Sequence, residues 1–302
     1  MDSLALIFIV VAVSDSYALA GALSAVASIT ISIATPFWSR LADRIGQRKM
    51  LLRVVPLKIL GLSLFIALVM NEAPVWTWFA SIILAELAAI NTGGLVRRRW
   101  LHVLSPDKST TAEDETDKHV VNTAYSYEAL MDEIVFIVGP ITATACATSI
   151  APAAGLIAGM ILMSIGLPLF AMQRATEPPP SPVRVKDPHP PVIGIPIVQA
   201  IALATTFTGG FFGAIAITVV GFAESEGQKS YSGLLLGLWA SGSAVMAIIN
   251  GLIKWKTSYA GRFLIFLTAL TIFSIPFIFV DSILGLAIAL FFNGFAIAPL
   301  IV

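Results

Sequence analysis

The chain has 302 residues, of which 57% are hydrophobic and 12% are charged, and its formal net charge at pH 7 is zero. Because a soluble domain carries about a quarter charged residues, this composition indicates a membrane protein. The balanced charge argues against a nucleic-acid partner. Cys146 is the one cysteine, which excludes a disulfide framework and a cysteine-based metal site.

The first predicted element is an apolar stub over residues 4–13, which at about 1.5 Å per residue is too short to span a bilayer. Nine longer segments follow, and each approaches the roughly 20 apolar residues that cross about 30 Å of hydrocarbon. We therefore expect an all-α polytopic membrane protein. The nine segments cover approximately residues 17–38, 51–70, 76–96, 121–147, 151–172, 192–220, 231–253, 262–280 and 283–302.

Basic residues are distributed unevenly over the connections between these segments. When the segments alternate in direction, every loop lysine and arginine except Lys229 falls on the same side. Lys58 lies within a segment and is expected to snorkel back to that side. Because short cytoplasmic loops retain basic residues, we expect a multi-pass protein of the cytoplasmic (inner) membrane whose main basic loops face the cytoplasm.

The chain also shows a faint internal repeat. The segments that start at Ser16 and Ser230 both begin Ser-Tyr, continue through small residues and end at a basic turn. Two helical halves joined by a long inner linker are typical of secondary transporters, whose substrate path runs between the halves. We expect an N-terminal half over residues 1–172, a proline-rich cytoplasmic linker over 173–191 and an incomplete C-terminal half over 192–302.

A charged turn follows the first long segment, and its sequence over residues 39–49 is SRLADRIGQRK. It resembles the signature of the major facilitator superfamily, Gly-x-x-x-Asp-Arg-x-Gly-Arg-Arg, although Ser39 and Gln47 replace a glycine and an arginine. The resemblance implies that the turn acts as an electrostatic latch between helices during transport; the alternative is a simple topology signal. The matching positions are Asp43, Arg44, Gly46 and Arg48.

A second, weaker match lies in the fifth segment. Gly139 and Pro140 resemble the Gly-Pro core of a signature found in proton-coupled drug exporters, although three of its glycines are replaced, by Val135, Ala143 and Thr144. A Gly-Pro pair removes one backbone hydrogen bond from a membrane helix, so it can act as a pivot. The resemblance favours export over import.

The resemblance extends over nearly the whole chain and implies a helical bundle of two pseudo-repeated halves. The family pattern has twelve helices, whereas about ten are recognisable here, so the sequence is expected to be incomplete at both ends. It therefore represents either a piece of a transporter or a truncated, transport-inactive membrane remnant.

Four carboxylates lie within predicted membrane segments, where ionisable groups are costly and are functional candidates by default. They are Glu86, Glu128, Asp132 and Glu133. Glu128 and Asp132 share a helix face, and carboxylates so close together in a low dielectric favour proton uptake by one of them. The alternative is that Glu128 and Asp132 are solvated near the inner surface, or pair with the basic residues at 97–99.

No enzymatic or metal site is expected. The three histidines, His102, His119 and His189, fall in loops without ligand-like spacing, and no phosphate-cradling glycine loop of the ATPase type occurs. The sequence therefore predicts a secondary transporter without a cofactor, whose partners are a small-molecule substrate, protons and the lipid bilayer. Proton-coupled export of a small organic compound is the preferred function, and a proton-linked uptake permease is the alternative.

Overall fold

A computed structural model describes residues 2–104, 115–180, 196–253, 257 and 259–301. Twelve α-helices and no strand occur among these residues. In chain order the helices are α1 (Asp2–Ser14), α2 (Tyr17–Ile45), α3 (Gln47–Met70), α4 (Val75–Glu86), α5 (Thr92–Leu104), α6 (Glu115–Ser149), α7 (Ala154–Met172), α8 (Pro196–Ser225), α9 (Ser232–Leu252), α10 (Tyr259–Ser274), α11 (Ile283–Gly294) and α12 (Ile297–Ile301).

Eight helical stretches in the described chain are long and apolar enough to cross a membrane. This confirms the predicted all-α polytopic fold. The first helix, α1, has 13 residues and reaches only about 20 Å, as its sequence predicts. Its residues Leu4 to Val11 are all at most 4% exposed, and a helix that is apolar on every face is expected to be buried in this way.

The predicted segment 76–96 is not a continuous helix, which corrects the sequence-based expectation. Helix α4 ends at Glu86 and α5 begins at Thr92. Asn91 starts the new helix, because its Oδ1 accepts a hydrogen bond of 3.0 Å from the amide of Gly94, as an N-cap residue does. At the broken end the indole of Trp38 donates to the carbonyl of Leu87 at 2.6 Å, which satisfies a group that the interrupted helix leaves open.

The charged turn is shorter than its sequence suggested. Helix α2 continues through Ile45 and α3 begins at Gln47, so Gly46 alone separates them. Gly46 has φ 93° and ψ 150°, a backbone conformation that is essentially restricted to glycine. The seven residues before it, 39–45, are helical rather than part of a loop.

Contacts divide the chain into two units, which we call unit A and unit B. Unit A comprises Met1–Ala5, Tyr127–Gly155 and Ala216–Val302, and unit B comprises Leu6–Ser126 and Leu156–Ile215. In unit B, α2, α3 and α4 pack together around buried apolar side chains that include Met50, Leu51 and Val54. The predicted division into halves at the linker stays a prediction, since residues 181–195 lie outside the described chain.

In unit A, α9 and α11 approach each other so closely that their backbones touch. A Cβ on Gly242 would meet the carbonyl of Phe291, and one on Gly294 would meet the carbonyl of Trp239. Asn293 is fully buried here; it accepts from the Trp239 indole at 2.9 Å and donates to Ser274 at 3.0 Å. Small residues and interhelical hydrogen bonds are the usual means of helix association in membranes.

Candidate functional site

A buried ion pair joins α3 to α4 in unit B. Lys58 Nζ lies 2.5 Å from Glu86 Oε2, and the two side chains are 8% and 6% exposed. The expectation that Lys58 would snorkel to the surface is therefore wrong. The carboxylate of Glu86 offers the ammonium group a partner inside the protein, so the lysine does not need to reach water.

The Lys58–Glu86 pair lies about halfway along α3 and at the last residue of α4. Lys58 is about 16 Å along α3 from Gln47, and Glu86 is about 16 Å along α4 from Val75. Helix α3 is long and apolar enough to cross a membrane, and the hydrocarbon core is about 30 Å thick. Because Lys58 lies halfway along α3, we expect the pair to lie near the middle of the membrane. The break that follows Glu86 occurs at the same depth.

Close packing of α3 against α4 holds the pair in place. A Cβ on Gly61 would lie 2.5 Å from the Cα of Ala85 and 2.8 Å from its amide nitrogen, so only glycine fits. Gly61 is about one turn from Lys58, and Ala85 precedes Glu86 directly. The helices therefore touch beside the point where the charges meet, which leaves both side chains almost without exposed surface.

A second group of polar contacts lies where α2 ends and α3 begins. Asp43 forms an ion pair with Arg98 of α5, and both side chains are more than a third exposed. The next residue, Arg99, is only 5% exposed, and its Nε donates to Oε1 of Gln47 at 2.8 Å. Gln47 also donates to the carbonyl of Leu95 at 3.2 Å. The turn is thus tied to α5 by adjacent arginines.

Arg99 also binds the last turn of α7 and the chain that follows it. Its terminal nitrogen Nη1 donates to the carbonyls of Phe170 and Gln173 at 2.9 and 3.0 Å and to the hydroxyl of Thr176 at 3.1 Å. The guanidinium lies 3.7 Å from the centre of the Phe170 ring. Burial lowers the pKa of Arg99, and the charge of Glu177 opposes this change. The side chain remains a cation, because arginine does not lose its proton in proteins.

Glu177 closes this arrangement against the glycine of the turn. Its Oε1 accepts a hydrogen bond of 2.9 Å from the amide of Arg48, one of the donors that the start of α3 leaves open. The same oxygen would be 3.0 Å from a Cβ on Gly46. We call Asp43, Gln47, Arg98, Arg99 and Glu177 the basic-end cluster.

The other predicted proton carriers lie on α6. Glu128 is buried at 8% exposure, Asp132 is exposed and Glu133 is half-buried. These three belong to unit A, whereas Glu86 belongs to unit B. Asp132 and Glu133 fall at the start of the apolar span Met131–Ser149, rather than near its middle.

The predicted pivot lies at a close helix contact in unit A. Pro140 is inside the continuous helix α6, and a Cβ on Gly233 of α9 would be 2.6 Å from the hydroxyl oxygen of Thr144 and 2.8 Å from the Cα of Ile141. The carbonyl of Pro140 lies closer still. Gly233 therefore permits α9 to rest on α6 at the proline.

Sequence reasoning missed the partners in these sites. Lys58, Arg98, Arg99 and Glu177 were not singled out as site residues, although the sequence held one signal for Lys58 and one for Arg99. A lysine inside an apolar segment is the first signal. The other is the replacement of an arginine by Gln47, since a neutral acceptor at that position suits a nearby guanidinium.

The side chain of Arg44, a charged residue of the predicted latch, is exposed. Within the described chain, no group of His, Cys, Asp and Glu is arranged to hold a metal ion.

The comparison with protein families agrees with the architecture of membrane-spanning helices. The family model described as Major Facilitator Superfamily matches residues 2–302. No curated protein sequence matches the chain significantly. Members of this family are transporters of small molecules, and the match covers all twelve helices described above. The chain belongs to the Major Facilitator Superfamily.

Proposed function

We propose that this secondary transporter exports a small organic compound in exchange for protons, and that Glu86 is the group that takes up and releases the proton. The observation that carries the proposal is the ion pair of Glu86 with Lys58 at mid-membrane depth. Ionisable groups at this depth are expensive and mark ion and proton pathways. Glu128, Asp132 and Glu133 remain alternative carriers.

The pair provides a physical link between protonation and helix movement. While both groups are charged, their attraction offsets the cost of burying them. A proton on Glu86 removes that attraction and leaves Lys58 as an uncompensated cation, which favours separation of α3 from α4. Conversely, separation of the helices favours proton uptake by the freed carboxylate, since linkage between the two events is reciprocal.

We further propose that the turn between α2 and α3 is the conformational latch, with Asp43, Arg44, Gly46 and Arg48 as its residues. The Asp43–Arg98 pair supports this role, because a partly exposed ion pair contributes only about 0–1 kcal/mol and can be broken and re-formed during a transport cycle. Arg99 and Glu177 hold the backbone of the turn in position meanwhile.

Export is proposed from the resemblance of Gly139 and Pro140 to the signature of proton-coupled exporters. The distribution of basic loops supports an orientation in which the turn faces the cytoplasm at the inner membrane. Purified protein in liposomes, loaded with a pool of small amphipathic and polar compounds, tests this proposal under imposed pH gradients of either sign. We expect at least one compound to move against the proton flow, to stop when a protonophore is added, and to stop in Glu86→Gln.

A compound that moves in the same direction as protons would instead support the uptake permease. Transport that is independent of the pH gradient would contradict proton coupling. Lys229→Gln is the matched control variant, because it removes a charge from a connection outside the candidate site.

A further inference from the structure

We propose that unit B carries a binding site for an anionic phospholipid, in a groove on its surface between α2, α3 and α4. The groove has a volume of about 440 Å³, and every residue that lines it is apolar. This volume falls in the range of about 300–1,000 Å³ that is typical of small-molecule sites. The lining residues are Trp38, Leu57, Leu60, Gly61, Leu64, Leu84, Leu87 and Ala88.

The groove lies where α4 ends. Leu84 is in the last turn of α4 and Leu87 is its C-cap residue. Trp38 covers the exposed carbonyl of Leu87, so the floor of the groove presents no open polar group at this point. A groove whose surface is almost entirely apolar suits a hydrocarbon chain.

Two exposed cations continue the groove towards the Gln47 end of α3. Lys49, Arg53, Leu57, Leu60 and Leu64 follow one another at spacings of four, four, three and four residues, which places them on one face of the helix. Lys49 and Arg53 are exposed, and neither forms an ion pair with a described residue. The same helix face is therefore basic at one end and apolar along the rest.

The spacing along α3 fits the dimensions of a lipid leaflet. Helix α3 has 24 residues and is about 36 Å long, some 6 Å more than the hydrocarbon core. If the excess protrudes at the Gln47 end, the backbone of Lys49 lies outside the hydrocarbon core, and that of Arg53 lies about 3 Å inside it. The long side chain of Arg53 can extend from there to the phosphate groups, while Leu57 and Leu64 lie in the acyl region. Basic residues at this depth attract anionic lipids by about 1 kcal/mol each.

The occupant is therefore a phospholipid with a negatively charged headgroup, in the leaflet at the basic end of α3. Because basic loops are expected on the cytoplasmic side, that leaflet is the cytoplasmic one. For this point alone the inference rests on the proposed orientation of the protein. The phosphate contacts Lys49 and Arg53, and one acyl chain occupies the groove. The inference depends neither on the Lys58–Glu86 pair nor on the direction of transport. The lipid site can therefore be disproved while the proposed transport function stands.

The test is lipid retention by the purified full chain, equilibrated with mixed micelles of phosphatidylglycerol and phosphatidylcholine and measured by mass spectrometry of the intact complex. We expect wild type to prefer phosphatidylglycerol. Lys49→Gln and Arg53→Gln should each lower that preference about fivefold. Arg40→Gln, which removes an exposed cation of α2 outside the groove, should leave it unchanged.

A second pair of variants tests the acyl chain. Leu60→Trp fills the groove from an exposed position and should reduce retention of both lipids, whereas Leu52→Trp, on another face of α3, should not. Retention that is equal in wild type, Lys49→Gln and Arg53→Gln would overturn the inference. Lipid retention that is unchanged in Leu60→Trp would also overturn the inference. That result is expected if the groove admits the transported compound instead of a lipid.

Discussion

Arg99 Nε donates to Oε1 of Gln47 at 2.8 Å, and both residues are at most 5% exposed. Gln47 stands where the superfamily signature has an arginine. A guanidinium at position 47 would face that of Arg99 in a buried site, so the neutral residue at 47 and the cation at 99 are complementary. This departure from the signature is thus explained by a residue that lies 52 positions away.

Gln47→Arg is expected to destabilise the protein. The variant buries a second cation beside Arg99 and removes its acceptor, and an uncompensated buried charge costs about 3–5 kcal/mol. Unfolding of the purified protein in mixed micelles measures the effect. Ser39→Arg, at an exposed position of α2, is the control and should change the unfolding free energy little. The double variant Gln47→Arg/Arg99→Gln should recover part of the loss; no recovery would show that the two residues do not interact.

Gly46→Ala is expected to cost about 1–3 kcal/mol, because φ 93° with ψ 150° is a conformation that other residues avoid. The new methyl group would also press on Glu177 Oε1. Gly227 also has a positive φ, +69°, but no described atom near its missing side chain, so Gly227→Ala is the control and should cost less. A loss of stability in Gly46→Ala no larger than in Gly227→Ala would contradict this prediction.

Gly61→Ala tests the close approach of α3 and α4. The methyl group would lie 2.5 Å from the Cα of Ala85, and overpacking of this kind costs about 1–3 kcal/mol. Gly166→Ala on α7 is the matched control, since no described atom lies within 4 Å of that position. The control should be neutral or slightly stabilising, because alanine favours helix over glycine. If Gly61→Ala is as stable as the control variant, the close packing of α3 against α4 is contradicted.

A double-mutant cycle measures the interaction of Lys58 with Glu86. Lys58→Met and Glu86→Gln each leave one buried partner without its counterpart, which costs about 3–5 kcal/mol. The combined variant Lys58→Met/Glu86→Gln should be much less destabilised than the sum, because neither charge remains. Unfolding free energies in mixed micelles supply the four corners of the cycle. Additive losses would show that the pair does not act as a unit.

The helical architecture could be predicted from the sequence because hydrocarbon thickness fixes the length of an apolar segment. The interruption after Glu86 was missed, since residues 76–96 are apolar enough to be taken for one helix. A local signal was present: Asn91, followed by Thr92 and two glycines, is a helix start within an apolar run. An average of hydropathy over a segment does not detect an N-cap residue inside it.

The candidate site could be predicted only in part. Glu86 was identified because a carboxylate inside a membrane segment requires an explanation. Its partner was not, since pairing depends on how α3 and α4 are rotated and on the small size of Gly61. Asp43 was found from its motif, whereas Arg98 and Glu177 are distant in sequence and meet the turn only after the helices pack. Composition and motifs therefore indicate which charges matter but not which ones pair.

The most direct test of the central claim is the electrical response of the purified protein in liposomes to a rapid pH step without substrate. If Glu86 carries the proton, wild type gives a transient current on solid-supported membranes. Glu86→Gln should abolish this current, whereas Asp132→Asn and Glu133→Gln should retain it. A current that persists in Glu86→Gln and disappears in either α6 variant would contradict the account and assign proton binding to α6.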